Sequence, residues 1–132
     1  MFNKISFCIA SFTKVINLTN GLDTRLHILN IYNEKEIKLL EAGPLKDKRI
    51  TSEACIHHLW FSDKDYDEKG AFIKWNPAVK TSEDRENIWK ALLDDRIDVI
   101  ATDHAPHTLE EKQNAYMKAP SGGPLIQHTL VA

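Results

Sequence analysis

Three strand-length apolar runs, each separated from the next by helix-forming sequence, limit what this chain can fold into. They are Arg25–Tyr32, Arg49–Ile56 and Ile97–Thr102. Glu34 to Ala42 has helix-favouring composition, with Ile37, Leu39 and Leu40 on one side, and Gly43-Pro44 stops it. Thr81 or Ser82 can cap a helix running to about Asp94, with Ile88, Trp89, Leu92 and Leu93 turned inward. Ahead of the first strand, Ile5, Cys8, Ile9, Phe12, Val15 and Ile16 recur at helical spacing, which predicts an amphipathic helix ending near Asn20-Gly21. Ser62 to Ala71 is charged and reads as a surface loop, and a long connection surrounds Lys74–Ala78. Strand, helix, strand, long loop, helix, strand is the rhythm of a parallel α/β protein. Residues 1–132 read as one such unit.

Polar residues gather just after the strands, where α/β sheets and barrels place their active sites. The end of the third strand delivers Asp103 and His104, with His107 close behind. A carboxylate and two imidazoles at the mouth of a buried strand can ligate a metal, shuttle protons or hold a substrate. His57 and His58, leading out of the second strand, either line that pocket or pack and hydrogen-bond near the strand end; packing is the reading we expect. His27, inside a strand, reads as structural, and His128 falls in a helix without an assigned role.

Composition narrows the partners. A formal charge of −2 gives no electrostatic reason to bind nucleic acid or an anionic membrane. No apolar stretch reaches the roughly 18–20 residues that cross a bilayer. Lys14 and the lack of a small-residue cleavage pattern argue against a secretory signal in the apolar opening, Ile5 to Phe12. Cys8 and Cys55 form no disulfide framework and no zinc-finger spacing; they read as two buried thiols in a reducing, cytoplasmic compartment.

Ile100–Lys112, reading IATDHAPHTLEEK, resembles the hallmark segment of dihydroorotases in the amidohydrolase superfamily. Pro120–His128 (PSGGPLIQH) looks like the segment that follows it. Ile50–Leu59 (ITSEACIHHL) and Lys74–Lys80 (KWNPAVK) match two preceding blocks, in order. The resemblance implies a (β/α)8 TIM-type barrel of the metal-dependent hydrolase kind, of which this chain would be about the last three strands with their helices. It implies zinc as cofactor and reversible hydrolysis of the dihydroorotate ring amide to N-carbamoyl-aspartate, in pyrimidine biosynthesis. Asp103 matches a residue that binds zinc and carries a proton; Asn76, His107, Gly122 and Gly123 match substrate-binding positions. His104 matches a residue supporting the loop.

Two departures temper this. Asn30 occupies a position where the family has a histidine that ligates zinc, and an amide is a poor zinc ligand beside imidazole. Asp103 is the one zinc ligand with a clear match, the others falling in an N-terminal part of the family's barrel that this sequence lacks. The isolated chain is therefore expected to be inactive. Its partners by resemblance are the small-molecule substrate and a complementary N-terminal barrel fragment or a second copy of itself. Alternatives are a non-catalytic remnant or assembly partner, and a segment of a related allantoinase or hydantoinase.

Overall fold

The computed structural model describes residues 4–130. Helix α1 (Lys4–Gly21) leads into strand β1 (Leu26–Ile28), short helix α2 (Glu34–Ile37) and strand β2 (Ile50–Cys55). β2 runs directly into α3 (Ile56–Trp60), followed by the single turn α4 (Tyr66–Lys69) and by α5 (Ser82–Leu93). Strand β3 (Val99–Ala101) and the turn α6 (Leu109–Lys112) complete the elements. The strands form one parallel sheet in the order β1-β2-β3, with Leu26 opposite Ile50 and Cys55 opposite Ala101.

Strand alternation divides the sheet into two unlike faces. Leu26, Ile28, Ile50, Ser52, Ala54 and Ile100 share one face; His27, Thr51, Glu53, Cys55, Val99 and Ala101 share the other. The helices cover the first. There Ala54 packs with Ile31, Ile37, Leu40, Leu59, Ile88, Ala91 and Ile97, and Phe12 of α1 and Leu92 of α5 close the cluster. A second cluster, Ile73, Trp75 and Val79 with Phe61, Tyr66 and Leu125, lies in the loops beyond the strand ends. On the opposite face His27 bridges Thr51 Oγ1 (2.8 Å) and Glu53 Oε2 (3.3 Å), a cross-strand polar row in keeping with a structural histidine.

Several elements are shorter than their sequence pattern predicts. The first strand stops at Ile28 because Asn30 turns the chain at φ 56, after which Ile31 is drawn into the core and its N–H bonds to Glu53 O. α2 ends at Ile37, and the next turns tighten to Leu39 N–H to Glu36 O and Leu40 N–H to Ile37 O. The third strand is confined to Val99–Ala101. α5 begins as expected at a Thr81 capping box with Asp84. Its inward face is Ile88 and Ala91, however; Trp89 is 39% exposed and Leu93 79% exposed. Trp89 is held at the periphery by an Nε1–H bond to Leu59 O. The expected surface loop after Ser62 is instead a run of short helical turns, opened by a Ser62–Asp65 capping box. Among the described residues no helix is long and apolar enough to cross a membrane.

At the far end of the sheet from the strand C-termini, Lys48 and Asp98 form a buried ion pair (2.7 Å), their side chains 7% and 3% exposed. The second carboxylate oxygen of Asp98 accepts the Ser52 N–H, and the Lys48 ammonium also donates to the carbonyls of Asp95 and Arg96. This clasp ties the entry to β2 to the entry to β3. Removing one partner strands the other's charge in the interior, so Lys48→Met should destabilise the chain by about 3–5 kcal/mol. Urea unfolding followed by circular dichroism measures this; an unchanged midpoint would contradict it.

Candidate active site

The strand C-termini bring chemistry from two neighbouring strands to one place. β2 ends at Cys55, and because Cys55 pairs with Ala101, the residue two places past each lands on the same rim: His57 and Asp103. Ligand atoms of Cys55, His57 and Asp103 all lie within 4.8 Å of one another. Cys55 and His57 are 0% and 1% exposed, whereas Asp103 faces solvent. Asp103 has φ 45, and Asn30, past the end of β1, has φ 56; Asp and Asn are the non-glycine residues that adopt this region most readily. At these left-handed turns Asn30 meets the Cys55 thiol and Asp103 comes within 4.8 Å of Cys55 and His57.

His57 is the least satisfied side chain in the cluster. Its ring stacks flat on Trp75 (centroids 4.5 Å, interplanar angle 7°) and tilts against His58 at 4.1 Å. Neither Nδ1 nor Nε2 has a hydrogen-bond partner. Leaving such a group buried and unpaired costs about 1–3 kcal/mol. Burial, and then the neighbouring His58, pushes the His57 pKa down to about 2, so the ring is a neutral imidazole with a lone pair to offer. His58 differs. Its Nε2–H donates to Pro77 O (3.2 Å), and burial holds it neutral to about 4. The packing reading expected for the pair thus describes His58; His57 packs without hydrogen-bonding.

Cys55 donates its thiol hydrogen to Asn30 Oδ1 (2.6 Å). Burial first, then the charges of Asp103 and Glu53, push that thiol up to about 12. Together the cluster offers an imidazole nitrogen, a sulfur and a carboxylate oxygen, all donor types that a divalent ion such as zinc accepts. One of the two orphaned nitrogens of His57 is what such an ion would satisfy. The donor set fits.

The remaining sequence-predicted residues sit in the loops beyond. Asn76 is exposed and precedes Pro77 through a cis peptide bond. Gly122 and Gly123 are buried; Gly122 N–H bonds to Lys74 O, and Gly123 pairs with His104. His104 Nδ1 accepts the Ile126 N–H, tying that loop down. His107 donates Nε2–H to Ser121 O (3.0 Å), and its Nδ1 lies 3.6 Å from Glu111. Buried Lys112 donates to the carbonyls of Gly122 (2.8 Å), Pro120 (3.1 Å) and Lys74 (3.4 Å), fastening the glycine loop to the Trp75 segment. Trp75 in turn touches both His57 and the Gly123 backbone, so one contact path runs from Asp103 through His57 and Trp75 to the glycines. Cys55 is a buried thiol as expected, and its place with His57 beside Asp103 was not among the sequence expectations. The signal available was their position, 55 and 57, at the end of an apolar strand facing the same rim as Asp103.

No family model matches the chain. Individual proteins do. It is 35% identical over 113 residues to a dihydroorotase of Latilactobacillus sakei, covering 86% of this chain and 26% of that protein. It is 40% identical over 105 residues to a dihydroorotase of Geobacillus sp. (strain WCH70), covering 80% of this chain and 25% of that protein. The chain thus spans about a quarter of the length of the curated relatives it matches. In structure it is similar to an L-hydantoinase (dihydropyrimidinase) from Arthrobacter aurescens, with TM-score 0.81 and 22% identity over 92% of this chain and 28% of that one. A dihydroorotase from Saccharomyces cerevisiae gives TM-score 0.72 and 20% identity over 86% of this chain and 32% of that one. At those identities the structural likeness speaks for the fold alone, which is that of part of a TIM barrel. The sequence relatives speak for the kind: the chain is homologous to about a quarter of proteins named dihydroorotase.

Proposed function

We propose that this chain supplies the metal- and substrate-contacting end of a dihydroorotase, hydrolysing the ring amide of dihydroorotate reversibly to N-carbamoyl-aspartate in pyrimidine biosynthesis. The observation that carries this is the convergence of His57 and Asp103 at the rim, in a chain whose sequence relatives at 33–40% identity are dihydroorotases. Zinc is the proposed ion, with His57 and Asp103 holding it. When bound it would polarise the ring carbonyl and acidify water. Asp103 is the proton carrier: its carboxylate takes a proton from the water that attacks the carbonyl carbon. The amide C–N bond breaks, and Asp103 returns that proton to the departing ring nitrogen. Its solvent exposure leaves room for substrate and water beside it.

Asn76 and His107 are the proposed donors to the substrate carboxylate. In this structure His107 spends Nε2–H on Ser121, so it would reach substrate through Nδ1, or by exchanging Ser121 for the substrate. The glycine loop is the backbone wall of the pocket. At Gly122, φ is 123, and an added Cβ would lie 2.6 Å from Ala105 O. At Gly123 it would lie 3.0 Å from the Trp75 ring.

The reading is tested by purifying the chain with zinc and assaying dihydroorotate, hydantoin and dihydrouracil, alone and with a fragment carrying the rest of a relative's barrel. Hydrolysis of dihydroorotate in the mixture alone is expected, and Asp103→Asn should abolish it. Preference for hydantoin would move the chain to the hydantoinases; zinc uptake without turnover of any substrate would favour a non-catalytic assembly partner. In the active mixture, Gly122→Ala should cost about 1–3 kcal/mol of loop stability. Hydrogen exchange over residues 105–125 reads that cost, and unchanged protection would refute the steric argument.

A further inference from the structure

We infer that Cys55 is itself a metal-binding donor, so that this chain carries a sulfur–imidazole–carboxylate site made of Cys55, His57 and Asp103, suited to a thiophilic divalent ion. The inference rests on the metal role proposed for His57 and Asp103 and adds the sulfur to it. Three features of the structure point there. The sulfur belongs to the last residue of β2, on the face of the sheet that the helices do not cover, and its register partner Ala101 lies two residues before Asp103. The side chain is fully buried yet within 4.8 Å of ligand atoms on both partners. Beside it stands His57, 1% exposed, with two ring nitrogens that nothing satisfies.

Packing alone explains a buried thiol, since cysteine behaves as a small hydrophobe. It does not explain a buried thiol, an orphaned imidazole and a carboxylate sharing one rim. An ion placed among them would satisfy one ring nitrogen of His57 and offset the negative charge of Asp103. Binding would break the Cys55 S–H bond, release its proton to water and form a sulfur–metal bond, with no change of oxidation state. Asn30, which now accepts the thiol hydrogen, would lose that bond and be free to turn. A set containing sulfur favours zinc, cadmium and cobalt over magnesium or calcium, which take oxygen ligands.

Cobalt(II) is the probe, titrated into the metal-stripped full chain and followed by absorbance. Sulfur-to-cobalt charge transfer in the near ultraviolet is expected in the wild type and in Cys8→Ser, and its loss in Cys55→Ser. Circular dichroism checks that each variant is folded. Cadmium NMR of the wild type, whose resonance moves downfield with a thiolate donor, gives the same answer without any substitution. Visible cobalt bands that vanish in His57→Ala, with no charge-transfer band and no downfield cadmium shift, would overturn the sulfur donor and leave the His57–Asp103 reading standing. No cobalt spectrum at all would overturn both. A charge-transfer band lost in Cys8→Ser rather than in Cys55→Ser would also overturn the assignment.

Discussion

Everything at the rim depends on β2 being hydrogen-bonded along both edges. Its first half pairs with β1 and its second half with β3, so its register alone decides which side chains from three strands share a face. A one-residue slip would exchange the two faces, sending Cys55 into the helix layer and Ala54 out of it. Two things prevent that. Ala54 and Ser52 are both fully buried beneath the helices, where a longer side chain would find no room. The Asp98 carboxylate, anchored by Lys48, grips the Ser52 N–H and fixes the strand along its length. The position of the donors at one end of the sheet is therefore set by an ion pair at the other.

From β2 the order passes to the loops through aromatic contact. α3 starts with no intervening loop, so His57 is held by helix and strand together, and its ring becomes one wall of a stack with Trp75 and Phe61. Trp75 has the Gly123 backbone close against its ring, and Lys112 binds that loop from behind through its carbonyls. Burial lowers the Lys112 pKa, the same desolvation that makes its three carbonyl partners necessary. Rigid support of this kind keeps loop residues at fixed positions relative to strand-borne ones, which a site assembled from both requires.

What was legible in the sequence follows from which physics leaves a periodic trace. α1, β2 and the Thr81 cap of α5 were readable because apolar spacing and capping chemistry are local. Asp103 was readable as a carboxylate at a strand mouth. The turn at Asn30 was not: an Asn in the left-handed region looks like any other residue inside an apolar run, and Ile31 and Tyr32 beyond it are buried for reasons of core packing rather than strand pairing. Leu93 and Trp89 were assigned inward by helical spacing, but the stripe the core uses is Ile88 and Ala91, where a small residue lets α5 approach the sheet. His57 packs as expected but without the expected hydrogen bonds. No pattern tells whether a buried imidazole finds hydrogen-bond partners; that depends on Trp75 offering a flat apolar face where a donor or acceptor would have been needed.

The two faces of the sheet carry opposite energetic logic. On the helix side, burial of apolar surface stabilises the chain and demands no chemistry. On the other, His27, Thr51 and Glu53 form a polar row beside half-exposed Val99, which is poor surface for packing and good surface for binding polar groups. Electrostatic interactions there strengthen only when water is excluded. Asp103 is open to solvent in this chain while His57 beside it is not, so the His57 side of the rim is dry and the Asp103 side is wet. The proposed ion binding therefore draws on features the chain possesses. The proposed hydrolysis would in addition require bulk water to be excluded from the space around Asp103.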